Sequence, residues 1–533
     1  MWVKMMRKHS VEFGTRKRLV QLAAALVAVA SGGCAVGPDF QRPKAPQASD
    51  YAPTPLPMAT ASAPGIAGAA QTFNTARDIP AEWWTLFRSP QLDSLIRKAF
   101  KANPTIEAAQ AALRQAQENV YAQRGLFFPT IQASYSPSRI KISGNTGGNS
   151  PGLQGNGSVI STGQTDATPP GSTPVIYNWH SAQLTVGFVP DVFGANRRAV
   201  ESLQAQTDAQ RFQLEAAYIT LASNVVAAAI QEASVRDQIA AVKRIISANT
   251  RSLEIMRGQL KYGSAAGLDV AAQETALAQA KQLLPPLEKQ FEQTRDLIRV
   301  LVGNLPNEDV DETFALSSLH LPEELPVSLP SQLVDQRPDI RAAEEQLHSA
   351  SAQVGVAVAA RLPQFAINGT FGGNAAQFSQ MFSPAGQFFT LVGSATQTLF
   401  AGGTLLHRQR GAEAALSQAA AQYRSTVLTA FQNVADTLHA LHADANALNA
   451  AVAAERAAKT SLELTRKQQE LGYVNYLALL TAEQAYQQTA ITLVQAQATR
   501  FGDTAGLFQA LGGGWWNKPA DVAVAEAGAK SSN

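Results

Sequence analysis

Few residues in this chain have the types and spacing that chemistry needs. His439 and His442 stand three residues apart in a helical stretch, where two imidazoles could share a metal ion. Only Asp436 lies near enough in sequence to offer a third ligand, so a solvated helix face is the plainer reading. Gly148-Asn149-Ser150-Pro151-Gly152 spells a nucleophile elbow by letter. Such an elbow needs a strand before it and a helix after it, whereas this one lies in a Gly/Asn-rich loop. No other cluster of titratable residues has a fold-compatible spacing, which argues against an enzyme. With 7 histidines and 1 cysteine in 533 residues, metal or thiol chemistry has little material. A net charge of +2 with no strongly basic face gives no case for nucleic acid.

The one residue with a defined chemical prospect is Cys34. Arg16-Lys17-Arg18 forms a basic flank, and Leu19 to Ala30 is an apolar run bounded by Ser31-Gly32-Gly33. That run is too short to span a bilayer and suits a signal-peptide core, making residues 1–33 an export signal. Ser31-Gly32-Gly33-Cys34 resembles a bacterial lipobox with Ser where Leu is usual. Cys34 then becomes the first mature residue, carrying a diacylglycerol and an N-acyl lipid as the only expected bound group. Ala35, in place of Asp, resembles lipoproteins sorted to the outer membrane. The alternative is an ordinary signal-peptidase site with an idle cysteine. Loss of the signal leaves 37 Lys/Arg against 40 Asp/Glu, so the basic balance belongs to the signal. No later stretch reaches the roughly 18 apolar residues of a spanning helix.

The elements around these residues occur twice. A shift of 234 positions lays Pro104 on Pro338, Ile106 on Ile340, Leu113 on Leu347 and Val120 on Val354. Further on, a shift of 209 pairs Gly263 with Gly472, Leu268 with Leu477, Glu274 with Glu483 and Gly303 with Gly512. Two long periods exclude an array of short units and point to a duplicated module with an insertion in one copy. The organisation is a tether over 34–80, a first repeat over 81–302, an irregular connection over 303–330, a second repeat over 331–512 and a flexible tail over 513–533.

Each repeat contains a rod. From Leu214, alternating steps of four and three visit Leu221, Val225, Ala228, Val235, Val242, Leu253 and Met256, with only Glu232 and Asn249 breaking the apolar series. This is a coiled-coil seam roughly 70–100 Å long. The two breaks are either pore-lining or register-setting residues, or a local shift of the seam. Val427, Phe431, Val434, Leu438, Leu441, Ala445, Leu448 and Val452 repeat the pattern. Tyr262-Gly263 and Leu471-Gly472 turn each rod into a returning helix, and Pro285-Pro286 should break or kink the first return.

Before each rod lie two stretches of period two. Ile131, Ala133 and Tyr135 alternate with polar residues, as do Leu184, Val186 and Phe188. Phe365, Ile367 and Phe371, then Phe389, Leu391 and Ala395, do so in the second copy. One apolar face and one small, polar face suit a strand between lipid and water, or a soluble sandwich. The long Gly/Asn/Ser loop from Ile142 to Ile176 and its shorter counterpart from Gly372 to Gly386 favour an outer-membrane barrel. Four strands cannot close around a lumen, and an open sheet would expose unpaired backbone to lipid. Several chains must therefore share one barrel, although strand count alone does not set how many.

The chain resembles the TolC-like outer membrane factor family, in its lipoprotein branch from multidrug efflux systems. The resemblance spans nearly the whole mature chain and is carried by Cys34 to Pro43, Trp83-Trp84 with Phe87, Asn103-Pro104, Pro190 to Gly194, Leu268-Asp269-Val270 and Leu283 to Glu288. It implies a mixed α and β membrane protein: a homotrimer whose outer-membrane β-barrel takes four strands per chain and continues into a long periplasmic α-helical barrel. Substrate would pass passively, driven by an inner-membrane transporter of RND type docked through a periplasmic adaptor (membrane fusion) protein. On this resemblance Gly263, Asp269 and Gly472 mark the tip that the adaptor grips. Relatives often close that tip with aspartate rings just after the second turn. Those positions here are Ala478 and Thr481, beside Leu477, while Asp269 supplies charge from the other helix. The implied gate is more apolar and less sensitive to divalent cations. The alternatives are the same scaffold serving protein secretion or metal-ion export, and a pore-less periplasmic coiled-coil lipoprotein.

Overall fold

A computed structural model of the chain describes residues 35–48, 50–54, 57–75, 77–142, 152–153, 159–160 and 175–518. The expected signal peptide, Cys34 and positions 148–151 of the apparent elbow lie outside the described residues. The fold is mostly helical with one substantial sheet. In chain order the elements are β1 (Thr72–Asn74), α1 (Pro90–Ala102), α2 (Pro104–Gly125), β2 (Thr130–Ile142), β3 (Gly152–Leu153), β4 (Val159–Ile160), β5 (Val175–Phe188), α3 (Ala195–Lys261), α4 (Gly267–Gln282) and α5 (Leu284–Leu301). They continue with β6 (Glu324–Pro326), α6 (Pro330–Gln336), α7 (Pro338–Ala359), β7 (Gln364–Ala375), β8 (Gln387–Thr396), α8 (Thr404–Glu470) and α9 (Tyr476–Ala510). Matching elements have equal lengths: α3 and α8 are each 67 residues, and α2 and α7 are each 22. Two compact units emerge, one from 1–41, 115–207 and 346–419, the other from the remainder.

The first unit holds an antiparallel sheet in the order β2-β5-β7-β8. Its register converts sequence alternation into continuous rows. Ala133, Leu184, Phe371 and Phe389 lie side by side across all four strands. One residue along, Gln132, Thr185, Thr370 and Thr390 form a polar row facing the other way. Phe371, Phe389 and Leu391 are exposed. Among the described residues, the outer edges of β2 and β8 have no partner strand. The two expected loops carry some regular structure. Residues 142–176 contain the small β3–β4 pair and contribute to β2 and β5. Strand β7 runs on through Gly372 and Gly373, where a Cβ at Gly373 would meet the Met381 carbonyl oxygen at 2.1 Å. Glycine is what lets the turn at Phe378–Gln380 fold back so closely.

In the second unit, Ser89 caps α1 through a 3.3 Å bond from Leu92 N, with Pro90 in the first turn. Asn103 is extended because proline follows, and its amide donates to Leu301 O at 2.9 Å. The expected break at Pro285-Pro286 occurs: α4 stops at Gln282 and α5 restarts at Leu284. The rods bury Val225, Ala228, Val235 and Val242 on α3, and Val434, Leu441, Ala445 and Leu448 on α8. On α8 the buried stripe takes Ala430 and Ala451 rather than Phe431 and Val452. Phe431 instead packs against Tyr51, with ring centroids 5.7 Å apart. One stretch of α3 has a mean hydropathy of 1.2, apolar enough by composition alone to cross a membrane. That stretch is 56% buried within the chain, which is the mark of a packed Ala/Val seam.

Three segments expected to be irregular are anchored. In the tether, β1 pairs in parallel with β6 of the connection. Gln71 is fully buried and donates to Pro322 O and Thr504 Oγ1, both at 3.0 Å. The start of the tail folds back at Gly513 and Gly514, both at positive φ, so that Trp515 Nε1 donates to Gln336 O at 2.6 Å. Residues 519–533 lie outside the described residues. Such anchoring uses single side chains and leaves no periodic trace.

Arg500 fastens the tether to α9. It is fully buried, and its Nη2 donates to Ala69 O at 2.7 Å and Thr60 Oγ1 at 3.0 Å. Nearby, burial and then the adjacent Asp503 push the Asp444 carboxyl up to about 7. An acid that holds its proton more tightly when folded stabilises the fold at low pH. That contribution is lost as pH climbs from the usual carboxylate range through about 7. Asp444→Asn should therefore raise thermal stability at pH 8, by about 1 kcal/mol or less after solvent screening, and change little at pH 4. Equal shifts at both pH values would show that Asp444 does not titrate in this range.

Candidate functional site

The ends of the two rods are built alike. At each, a glycine in the left-handed region closes the helix, Gly263 at φ 74° and Gly472 at φ 78°. Ser264 N donates to Gln259 O at 2.9 Å and Tyr473 N to Gln468 O at 2.8 Å, the six-to-one bond that ends a helix on glycine. Behind each turn an Arg–Glu pair staples the outgoing to the returning helix: Arg257–Glu274 at 2.6 Å and Arg466–Glu483 at 3.3 Å. The glutamates were visible in the repeat; their arginine partners obey the same shift and were missed.

The residues singled out at this end fall into place unevenly. Asp269 sits in the first turn of α4, where its carboxylate accepts from Ala266 N at 3.4 Å, so it caps its own helix. Ala478 N is capped by Asn475 Oδ1 at 3.0 Å, and the Thr481 hydroxyl donates back to Leu477 O at 2.9 Å. Leu477 is 62% exposed and its repeat partner Leu268 is 79% exposed. With Tyr262, Leu471 and Tyr473 they leave both rod ends apolar and uncovered within the chain.

Sequence reasoning missed the link between the two ends. Tyr476, the first residue of α9, packs both on the Leu253–Met256–Val270–Leu277 cluster and on the Leu462–Leu479–Ala482 cluster. Its hydroxyl donates to Gln273 Oε1 in a short bond, and Gln273 Nε2 donates to Asn249 O at 2.9 Å and Asn249 Oδ1 at 3.2 Å. Asn249, one of the two breaks in the seam, is thus a buried acceptor. The other break, Glu232, is fully buried against Arg236 and, at 3.6 Å, Arg295. Both are structural polar pairs rather than slips of the seam. Above the tip, a cavity of about 270 Å³ is lined by Gln279, Gln282, Gln484, Gln487 and Gln488. Among the described residues no three or more His, Cys, Asp and Glu gather as metal ligands. Asp436 and His439 are exposed, as on a solvated face, whereas His442 is half-buried with its ring 5.2 Å from that of Phe73.

The chain is thus mostly helical, with a two-faced sheet whose outer edges have no partner among the described residues and two 67-residue rods ending in apolar tips. The profile of the outer membrane efflux protein family matches residues 95–304 and 329–513. The chain belongs to that family and is an outer-membrane component of an efflux system. It is similar to the pyoverdine export outer membrane protein OpmQ of Pseudomonas putida, with 28% identity over 87% of this chain and 94% of the relative. Against the outer membrane protein OprJ of Pseudomonas aeruginosa it shows 25% identity over 94% and 97%. The solved outer-membrane channel OprN superposes with a TM-score of 0.77 at 25% identity, over 90% of this chain and all of that one.

Proposed function

We propose that this chain is the outer-membrane conduit of a tripartite efflux system, passing small molecules through a homotrimer in a Gram-negative envelope. The observation that carries the reading is the sheet: one apolar row, one polar row and two open edges. Three copies joined edge to edge make a closed twelve-stranded barrel, apolar to lipid and polar to the lumen. The equal lengths of α2 and α7, and of α3 and α8, support descent from a duplicated module whose rods together line a periplasmic passage. The apolar rod ends, around Gly263 and Gly472, are the surface for a periplasmic adaptor, which links the channel to an inner-membrane transporter of RND type. Cys34 carries the diacylglycerol and N-acyl lipid. Leu477, Ala478 and Thr481 form the aperture, with no acidic ring among them.

Purified full-length protein should run as a heat-resistant trimer and conduct ions in planar bilayers, with little block by millimolar divalent cations. A stable monomer without current would sink the conduit. Strong block at low cation concentration would sink only the apolar aperture. Screening a deletion strain against drugs, metal ions and secreted proteins separates small-molecule efflux from the other uses of the scaffold.

A further inference from the structure

The first described residues are already pinned. Val36 N donates to Phe193 O at 3.1 Å, and Arg198 Nε donates to Val36 O at 3.2 Å while its Nη2 reaches Asp39 Oδ1 at 2.6 Å. Gly194, at φ 77°, lies so close that a Cβ there would stand 2.6 Å from Ala35 Cα. A Cβ on Gly37, at φ 98°, would stand 2.4 Å from Gly355 Cα, and Phe40 stacks on His348 with centroids 4.3 Å apart. Ala35, the residue that follows Cys34 in sequence, is thus held against Gly194.

Beside that contact, within the same unit, lies a cleft of about 570 Å³ lined by Leu126, Phe128, Phe188, Val189, Phe193 and Phe365. Its volume falls in the range of small-ligand sites. Asn196 also lines it; its Oδ1 accepts from Gln123 Nε2 at 2.7 Å, but its buried Nδ2 finds no acceptor among the described residues. The aromatic and aliphatic walls would take a fatty acyl chain.

We propose that this cleft seats an acyl chain of the lipid on Cys34, so that the anchor docks on its own protein as well as entering the bilayer. The inference rests on acylation of Cys34. Cells fed a diazirine-bearing fatty acid should yield trimers in which illumination crosslinks the anchor to peptides containing 126–130, 188–193 or 363–365. Val189→Asp should cut that crosslink at least fivefold while Val189→Leu keeps it, with heat-resistant trimers retained in both. An acylated N-terminal peptide whose crosslinks fall elsewhere overturns the cleft and leaves the anchor standing. An N-terminal peptide without acyl chains overturns both. In vesicles carrying a diazirine phosphatidylethanolamine, the sheet face should be labelled and the cleft spared; phospholipid label in the cleft would overturn the assigned occupant.

Discussion

Replacing Arg295 by methionine is expected to cost the second unit roughly 3–5 kcal/mol, because it strands a charge rather than merely removing a contact. Arg295 is almost wholly buried. Its guanidinium donates to Glu312 O and Asp309 Oδ1, each at 2.7 Å, and to Val310 O. It also faces Glu232 across 3.6 Å. Arg295 first, then Arg299, hold the Asp309 carboxyl well below the usual carboxylate range. Without Arg295, the buried Glu232 keeps only the partly exposed Arg236, and the turn at 309–312 loses its clamp on α5. A double variant, Glu232→Leu with Arg295→Met, should recover much of the loss, since an apolar pair leaves no orphan charge. Urea unfolding followed by circular dichroism measures both. If the single and double variants were equally destabilised, the backbone clamp and not the ion pair would be the source.

The second large effect concerns the rod ends. Tyr476→Phe removes the hydroxyl bond to Gln273 that ties the second helix pair to the first, about 1 kcal/mol per chain. In the proposed channel, the mouth is built from both pairs and widens by breaking that tie in each copy. In the proposed trimer, opening as one, three lost bonds amount to about 3 kcal/mol, or roughly a hundredfold in the open-to-closed ratio. Gln273→Leu should act in the same direction and also strip Asn249 of its partner. Open probability in planar bilayers is the direct measure. Wild-type gating in Tyr476→Phe, together with altered gating in Leu477→Ala, would place the constriction at the exposed leucine and not at the tie.

What could be read from the residues alone was whatever repeats or alternates. The α3 seam, the glycine turns, the proline break and the two-faced strands all follow from periodicity or from backbone restrictions of single residue types. Features resting on one residue meeting another far along the chain were not legible. Gln71 against Thr504 and Trp515 against Gln336 belong to that group. The tie at the rod ends was hidden for a further reason. The repeat places Gly267 opposite Tyr476, Ala482 opposite Gln273 and Ala458 opposite Asn249, so the network exists where the two copies differ. Asn249 and Glu232 stood out only as interruptions, and their partners had to come from three-dimensional packing.

The margins of β2 and β8, unpaired among the described residues, carry a genetic corollary. In the proposed shared barrel each member completes its neighbours, so one faulty participant is not tolerated. An allele that damages either margin, by a proline in β8 for example, would still be incorporated through its sound side and would spoil the whole assembly. Lesions there should behave as dominant, whereas lesions that prevent the chain from folding at all should be recessive.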